Sequence, residues 1–266
     1  MTTEHQPRFT SQQLSDQIKG HIETLATATD AARVSEEMLR YLETCARFHQ
    51  YSFNNILLIM MSYPQASRVA GFHAWNKLNR YVRKGEHGIP ILAPILVTVK
   101  DEKQEPTSFL RGFKVVFVFD ISQTEGEPLA EVPSWKSVEK NALLQERLVG
   151  YAQENGITVT EQALPNEIQG VSKGRSILIA PVAGTSTLIH EIAHELMHRR
   201  PDAPSESPVR ELEAEAVAYV VGKHFGLESS GSPNYIAMYG VSSELVLKHL
   251  ERISATSRKM IEAIEG

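Results

Sequence analysis

Apolar positions recur every three to four residues through the first part of the chain. Leu14, Ile18, Ile22 and Leu25, then Val34, Met38 and Leu42, predict two amphipathic helices over residues 10–48 that join near Asp30. A third helix is expected to begin around Ser52. Its sequence, FNNILLIMMSY, is apolar nearly all round, which implies burial, and it must stop before Pro64. After the aromatic segment GFHAWNKLN the period changes. A Gly-punctuated turn in YVRKGEHG leads into the β-branched run IPILAPILVTV, and FKVVFVFDI follows the charged loop DEKQEPTS, so the two runs are predicted to pair as a β-hairpin. The stretch QTEGEPLAEVPSWKS has Pro and Glu without periodicity and marks a linker near residues 122–136, dividing the chain into domains 1–125 and 126–266. Beyond it come a helix over about 137–154, a strand ITVT, a loop through Pro165, a strand SILIAPV, and helices over 186–199, 208–225 and 243–264. Strands followed by helices give an α+β order and no support for a doubly wound parallel sheet.

Composition narrows the chemistry. With 42% hydrophobic and 22% charged residues the chain is an ordinary globular one, and no run approaches the roughly 18 to 20 apolar residues that span a bilayer. The opening MTTEHQPRFT lacks the features of a signal peptide, so a cytoplasmic protein without membrane contact is expected. Cys45 is the only cysteine and lies in an apolar-periodic run; it is expected in the core, and any metal must be held by His, Asp or Glu. The net charge of −5 hides an uneven distribution: residues 41–100 carry seven Lys/Arg against Glu43 and Glu86. That basic stretch suits either a solvated face or a polyanion.

The strongest chemical signal is His190-Glu191-Ile192-Ala193-His194. Residues four apart share a helix face, so both imidazoles can reach one Zn²⁺ while Glu191 emerges beside them as a general base. Thr185, Ser186 and Thr187 offer helix caps, and Pro201 follows the end. A third ligand is expected from RELEAEAV on the next helix. Glu211 and Glu215 share a face, whereas Glu213 lies about 200° around from Glu211. With Leu212, Ala216, Val217 and Val220 taken as the buried side, Glu211 is assigned as ligand and Glu215 as acceptor for a ligand histidine's free N–H. Replacing Glu213 is then expected to leave metal binding nearly unchanged. His198, two turns from His190, is the candidate fourth ligand of a closed structural site; Tyr235, Tyr239 and His224 are candidate donors to a transition state. The strand SILIAPV is expected to offer an exposed edge to an extended peptide.

HEIAHELMH followed by an ExxxE helix resembles the zincin metallopeptidases whose third ligand is Glu, in particular the ImmA/IrrE group, with a departure at Glu215 where many relatives have Asp or Asn. The first half, through YSFNNILL, the Trp75 segment, VRKGEHGIPI and VFDISQTEG, resembles the single-stranded-DNA-binding N-terminal domain of ArdC-type antirestriction proteins. These resemblances imply an N-terminal helical domain with a β-hairpin and a zincin-like metallopeptidase domain, acting as a DNA-associated zinc peptidase on DNA-bound proteins. They also leave a non-proteolytic antirestriction protein with a structural zinc, or a peptidase that cuts a repressor. The ArdC resemblance implies single-stranded DNA as partner, with Arg80, Arg83, Lys84 and Lys114 on phosphates and Tyr51, Phe72 and Trp75 stacking on bases.

Overall fold

The computed structural model describes residues 9–27, 31–99, 107–129, 141–165, 168–227 and 242–266, with the side chains of residues 31–35, 98–99 and 107–108 excepted. The expected junction at Asp30, the loop DEKQEP, the side chain of Val34 and residues 130–136 of the expected linker lie outside that description. The chain is α+β, and no helix among the described residues is long and apolar enough to cross a membrane. It divides into two compact units, one of Met1–His21 with Asn54–Ala130 and one of Ile22–Phe53 with Glu131–Gly266.

The N-terminal helices are α1 (Ser11–Thr27) and α2 (Ala31–Arg47), as the apolar period predicts. In the first unit, α3 (Phe53–Ser62) buries Ile56, Leu57, Leu58 and Ile59, each contributing roughly 1.5–3 kcal/mol. Next come β1 (Val69–Gly71), α4 (Phe72–Lys77), β2 (Arg80–Val82), β3 (Ile89–Val99) and β4 (Thr107–Asp120). β3 and β4 form the expected antiparallel hairpin, with Ile89 opposite Val118, Val99 opposite Thr107 and a bulge at Ile95/Leu96. β1 pairs with the other edge of β4. A 3₁₀ turn (Ile121–Gln123) leads to β5 (Thr124–Gly126), which pairs with β2. The aperiodic stretch expected to be linker therefore begins as a strand: three residues are too few to show a period-two pattern.

Buried polar groups lock this unit. The Asn55 amide donates to Leu92 O at 2.9 Å and accepts from Leu92 N at 2.8 Å, fastening α3 to β3. Asp120 accepts from the backbone N–H groups of Ser67 (2.7 Å), Arg68 (3.0 Å) and Ser122 (2.9 Å). Gln123 completes a capping box by accepting from Asp120 N, and donates to His87 O at 2.8 Å.

In the second unit, α5 (Ala142–Glu154) is capped by Asn141, whose side chain accepts from Leu144 N. A mixed sheet follows in the order β6 (Thr158–Glu161), β8 (Ser176–Ile179), β7 (Gly170–Ser172), with β8 parallel to β6 and antiparallel to β7. Three helices complete it: α6 (Thr185–Met197), α7 (Ser207–His224) and α8 (Ser243–Glu265). α7 packs against α6, α8 and α2, and α2's place there draws Ile22–Phe53 into this unit rather than into the one that a cut at residue 125 implies. Cys45 is in this core, and burial pushes its thiol up to about 12.

Candidate functional site

His190 and His194 project from one face of α6 with their Nε2 atoms 2.9 Å apart, and Glu211 Oε2 on α7 lies 3.5 Å from each. The three donor atoms stand within 4.8 Å of one another and can hold one divalent ion. Burial, and for His194 the neighbouring His190, depress both imidazoles, His194 to about 4, so their nitrogens are neutral ligands at neutral pH. Glu191 borders the same cleft of about 530 Å³, together with Ser172, His198 and Arg210. Burial first, then the charge of Glu211, raises its carboxyl to about 7. The edge strand β7 makes room for it: a Cβ at Gly170 would lie 2.7 Å from Glu191 Cγ and Oε1.

A chain of hydrogen bonds fixes the histidine tautomers. Glu213, fully buried on α7, accepts from His249 Nδ1 at 2.6 Å and from His198 Nε2 at 2.9 Å. Burial pushes the Glu213 carboxyl up, but the bonds from His198 and His249 and the charge of Arg252 outweigh it and hold it below the usual range, so it accepts only. His198 Nε2 therefore carries its proton and Nδ1 is an acceptor. His194 Nδ1, 2.9 Å away, donates to it, which leaves the His194 Nε2 lone pair aimed at His190 and Glu211.

Several expectations are thereby corrected. Glu215 is exposed and has no hydrogen bond among the described residues; Glu213 takes the orienting role through His198. The one-sided stripe argument fails because α7 packs on three helices and buries Leu212, Ala214, Ala216, Val217, Val220 and Val221 nearly all round. His198 spends both nitrogens on His194 and Glu213 and is no fourth ligand. His224 lies elsewhere, bonded to Ala46 O and Glu265, while Tyr235 and Tyr239 lie outside the described residues. Gly184 caps α6, and the Thr185 hydroxyl instead accepts from Asn141 N. The strand SILI is β8, central and paired on both sides, so the edge at the cleft belongs to β7, three residues without a readable pattern.

Glu195 was not anticipated. It accepts from Ser172 Oγ (2.6 Å), Gly174 N (2.7 Å) and Arg175 N (2.7 Å), pinning the β7–β8 turn to α6. Two sequence features could have revealed this wiring. His190, His194 and His198 repeat every four residues, and a Glu amid ELEAEAVAYVV, in a helix apolar all round, needs buried partners.

In the first unit, motif residues and surface residues separate. Trp75 is 2% exposed and its indole donates to Phe119 O at 2.8 Å, so it is core and no stacking platform. Arg80 Nε and NH2 donate to Thr124, and NH1 to the carbonyls of Gly126 and Glu127, so it clasps β5. Arg83 is exposed but bonded to Glu86 (2.7 Å) and Ser122 O (2.6 Å). Lys84 and Lys114 are exposed, and Phe72 is 48% exposed. Tyr51, half-buried against Phe48, falls in the second unit. Tyr81, Phe109 and Phe113 are the exposed aromatics that the choice of stacking candidates omitted.

Residues 10–138 match the family model of the N-terminal domain of anti-restriction factor ArdC. The match spans the elements from α1 to β5. An uncharacterized protein of Bacillus anthracis is 26% identical over 311 residues, covering 96% of this chain and 52% of its own length, so the chain spans about half of that relative. Two crystal structures of the antirestriction protein ArdC from plasmid R388 are similar at 16% identity. The metal-free one has a TM-score of 0.49, covering 81% of this chain and 84% of its own. The Mn(II)-bound one has a TM-score of 0.48, covering 85% and 96%.

Proposed function

We propose that the protein is a DNA-associated, zinc-dependent peptidase of antirestriction type that hydrolyses proteins held on DNA. The observation that carries the reading is the convergence of His190, His194 and Glu211 in an open cleft with Glu191 beside them. Two imidazole nitrogens and one carboxylate oxygen are a donor set that suits Zn²⁺, which when bound supplies Lewis acidity toward a carbonyl and acidifies water. His190 and His194 serve as neutral ligands, and Glu213, through His198, keeps the second in the binding tautomer. Glu191 takes a proton from the attacking water and delivers it to the departing amine, and a base raised to about 7 is matched to work near neutral pH. The β7 edge offers main-chain groups along which an extended peptide can align.

The DNA half of the reading is supported by the ArdC-domain match and by Lys84, Lys114 and Phe72 exposed on that domain. Holding the target strand raises the effective concentration of a protein bound to it, up to about millimolar for a short tether.

The test is Glu191→Gln in zinc-loaded protein, assayed on a fluorogenic peptide and on restriction endonucleases with and without single-stranded DNA. Hydrolysis should fall by about 10²–10⁴-fold with zinc content unchanged. A wild type that cleaves nothing, or a variant that cleaves equally, would sink the peptidase reading.

A further inference from the structure

A second cluster of histidines and a carboxylate lies in the same unit and shares no residue with the cleft. His49 follows the end of α2, His224 is the last residue of α7, and Glu265 is the last residue of α8. Their donor atoms stand within 4.8 Å of one another. His224 Nε2 lies 2.8 Å from Glu265 Oε1, His49 Nε2 lies 3.7 Å from Glu265 Oε2, and the two rings meet edge to face at 4.6 Å.

The hydrogen-bond accounting of this cluster does not close within the protein. His224 Nδ1 is 2.9 Å from Ala46 O, and a carbonyl only accepts, so Nδ1 carries a proton. In the neutral ring Nε2 is then a lone pair, directed at a carboxylate oxygen that is also a lone pair. His49 is 7% exposed, and neither of its ring nitrogens has a hydrogen-bond partner. A buried imidazole with both nitrogens unpaired is costly. A cation in contact with all three groups satisfies His224 Nε2, the Glu265 carboxylate and one of the two His49 nitrogens, which closes most of the account. Donors on a tetrahedral Zn²⁺ stand about 3.3 Å apart, a spacing the observed separations bracket.

The surrounding charge agrees. The C-terminal ends of α2, α7 and α8 meet here, and helix C-termini carry partial negative charge that favours a cation. Arg258 and Glu262, earlier on α8, are paired at 2.8 Å and offset one another. The Ala46 carbonyl acts on His224 as His198 acts on His194, fixing the tautomer that leaves Nε2 free.

We propose that His49, His224 and Glu265 form a second, structural divalent-metal site of Zn²⁺ type that staples the segment after α2 to the ends of α7 and α8, with solvent completing the shell on the exposed side of Glu265.

The experiment is zinc titration of metal-stripped full-length chain, read by native mass spectrometry and by the thermal midpoint. Wild type should bind two equivalents, His224→Ala one, His194→Ala one, and the double variant none. Glu265→Gln, an isosteric change at an exposed carboxylate, should weaken the second equivalent by about tenfold or more and guards against a His224→Ala that fails to fold. Zinc should raise the midpoint of His194→Ala and leave that of the double variant unmoved. A wild type that binds one equivalent, lost in His194→Ala and retained in His224→Ala, would overturn the proposal and leave an ordinary imidazolium–carboxylate pair. One equivalent lost in His224→Ala but kept in His194→Ala would uphold this site and remove the metal from the cleft, so the two readings fail separately.

Discussion

Both units bury an acidic side chain, but the hydrogen bonds end in different places. Asp120 in the first unit accepts from backbone N–H groups of residues 67, 68 and 122, and Gln123 reaches another backbone carbonyl. Beside a long bond from Ser67 Oγ to Asp120 (3.4 Å) and one from Gln123 to Glu86 (3.1 Å), these bonds end on main chain, so what the two residues chiefly fix is the path of loops. Glu213 in the second unit bonds to side chains, and the series runs on through His198 to His194, whose free nitrogen faces the metal donors. Equal burial therefore says little about function, while the group at the far end of the bonds says much.

The largest effect that separates the two networks is expected at Glu213. Glu213→Ala strands His198 and His249 without their acceptor, removes the ion pair to Arg252 at 3.6 Å, and should cost about 3–5 kcal/mol, the usual penalty for breaking a buried charged pair. Glu213→Gln is more informative. Its amide N–H₂ faces one of two imidazole N–H groups, and where that is His198 the ring must turn to its other tautomer, placing a proton on His194 Nε2. Zinc affinity should fall by about 10–100-fold, measured against a competing chelator, while Glu215→Gln stays near wild type. Wild-type zinc affinity in Glu213→Gln would make Glu213 a loop-holding residue like Asp120.

Asp120→Asn probes the other network and should cost less, about 1–3 kcal/mol, with zinc affinity unchanged. Burial raises this carboxyl, but the hydrogen bonds from Ser122, Ser67 and Arg68 outweigh it and the net shift is below 3.8. As pH falls the unfolded chain therefore binds its proton first, and protonation favours unfolding. The contribution is complete above about 3.8 and is lost as pH drops through the lower folded value. Exchange of the Trp75 indole N–H, bonded to Phe119 O beside Asp120, should accelerate in that acid range in wild type and show a flattened pH dependence in Asp120→Asn. An unaltered acid profile in the variant would remove Asp120 from the account of this unit's stability.

The same contrast explains what the sequence could and could not convey. His190, Glu191 and His194 are readable as a candidate metal set because ligands on one helix face need helical spacing, and spacing is written along the chain; the helices at 185–197, 207–224 and 243–265 follow from apolar period. The structure brings Glu211, and not Glu213, beside the two histidines, yet Glu213's place was missed because burial of α7 on all sides depends on three partner helices that no local pattern records. Stacking surfaces are harder still. Trp75 and Phe72 are three residues apart in one aromatic segment, and only tertiary packing decides that one is core and the other exposed. Arg80 reads as a phosphate contact until β5, a three-residue strand, is found within its reach.

The smallest expected effect concerns the cations that this packing leaves on the surface. Lys84 and Lys114 are exposed, whereas Arg80 and Arg83 donate to carbonyls and to Glu86. If single-stranded DNA crosses this face, each lysine that touches a phosphate releases a counterion, and the slope of log affinity against log salt changes by about 0.7 per contact. Lys84→Glu and Lys114→Glu should each flatten that slope by about this amount, measured by anisotropy with a labelled oligothymidylate at four salt concentrations. Arg80→Lys should leave the slope alone and lower the thermal midpoint, because an ammonium cannot span Thr124 and Glu127 together as the guanidinium does. The opposite pattern, a slope set by Arg80 and indifferent to both lysines, would show that the clasp on β5 opens to DNA and that the first unit, like the second, connects its internal wiring to a ligand.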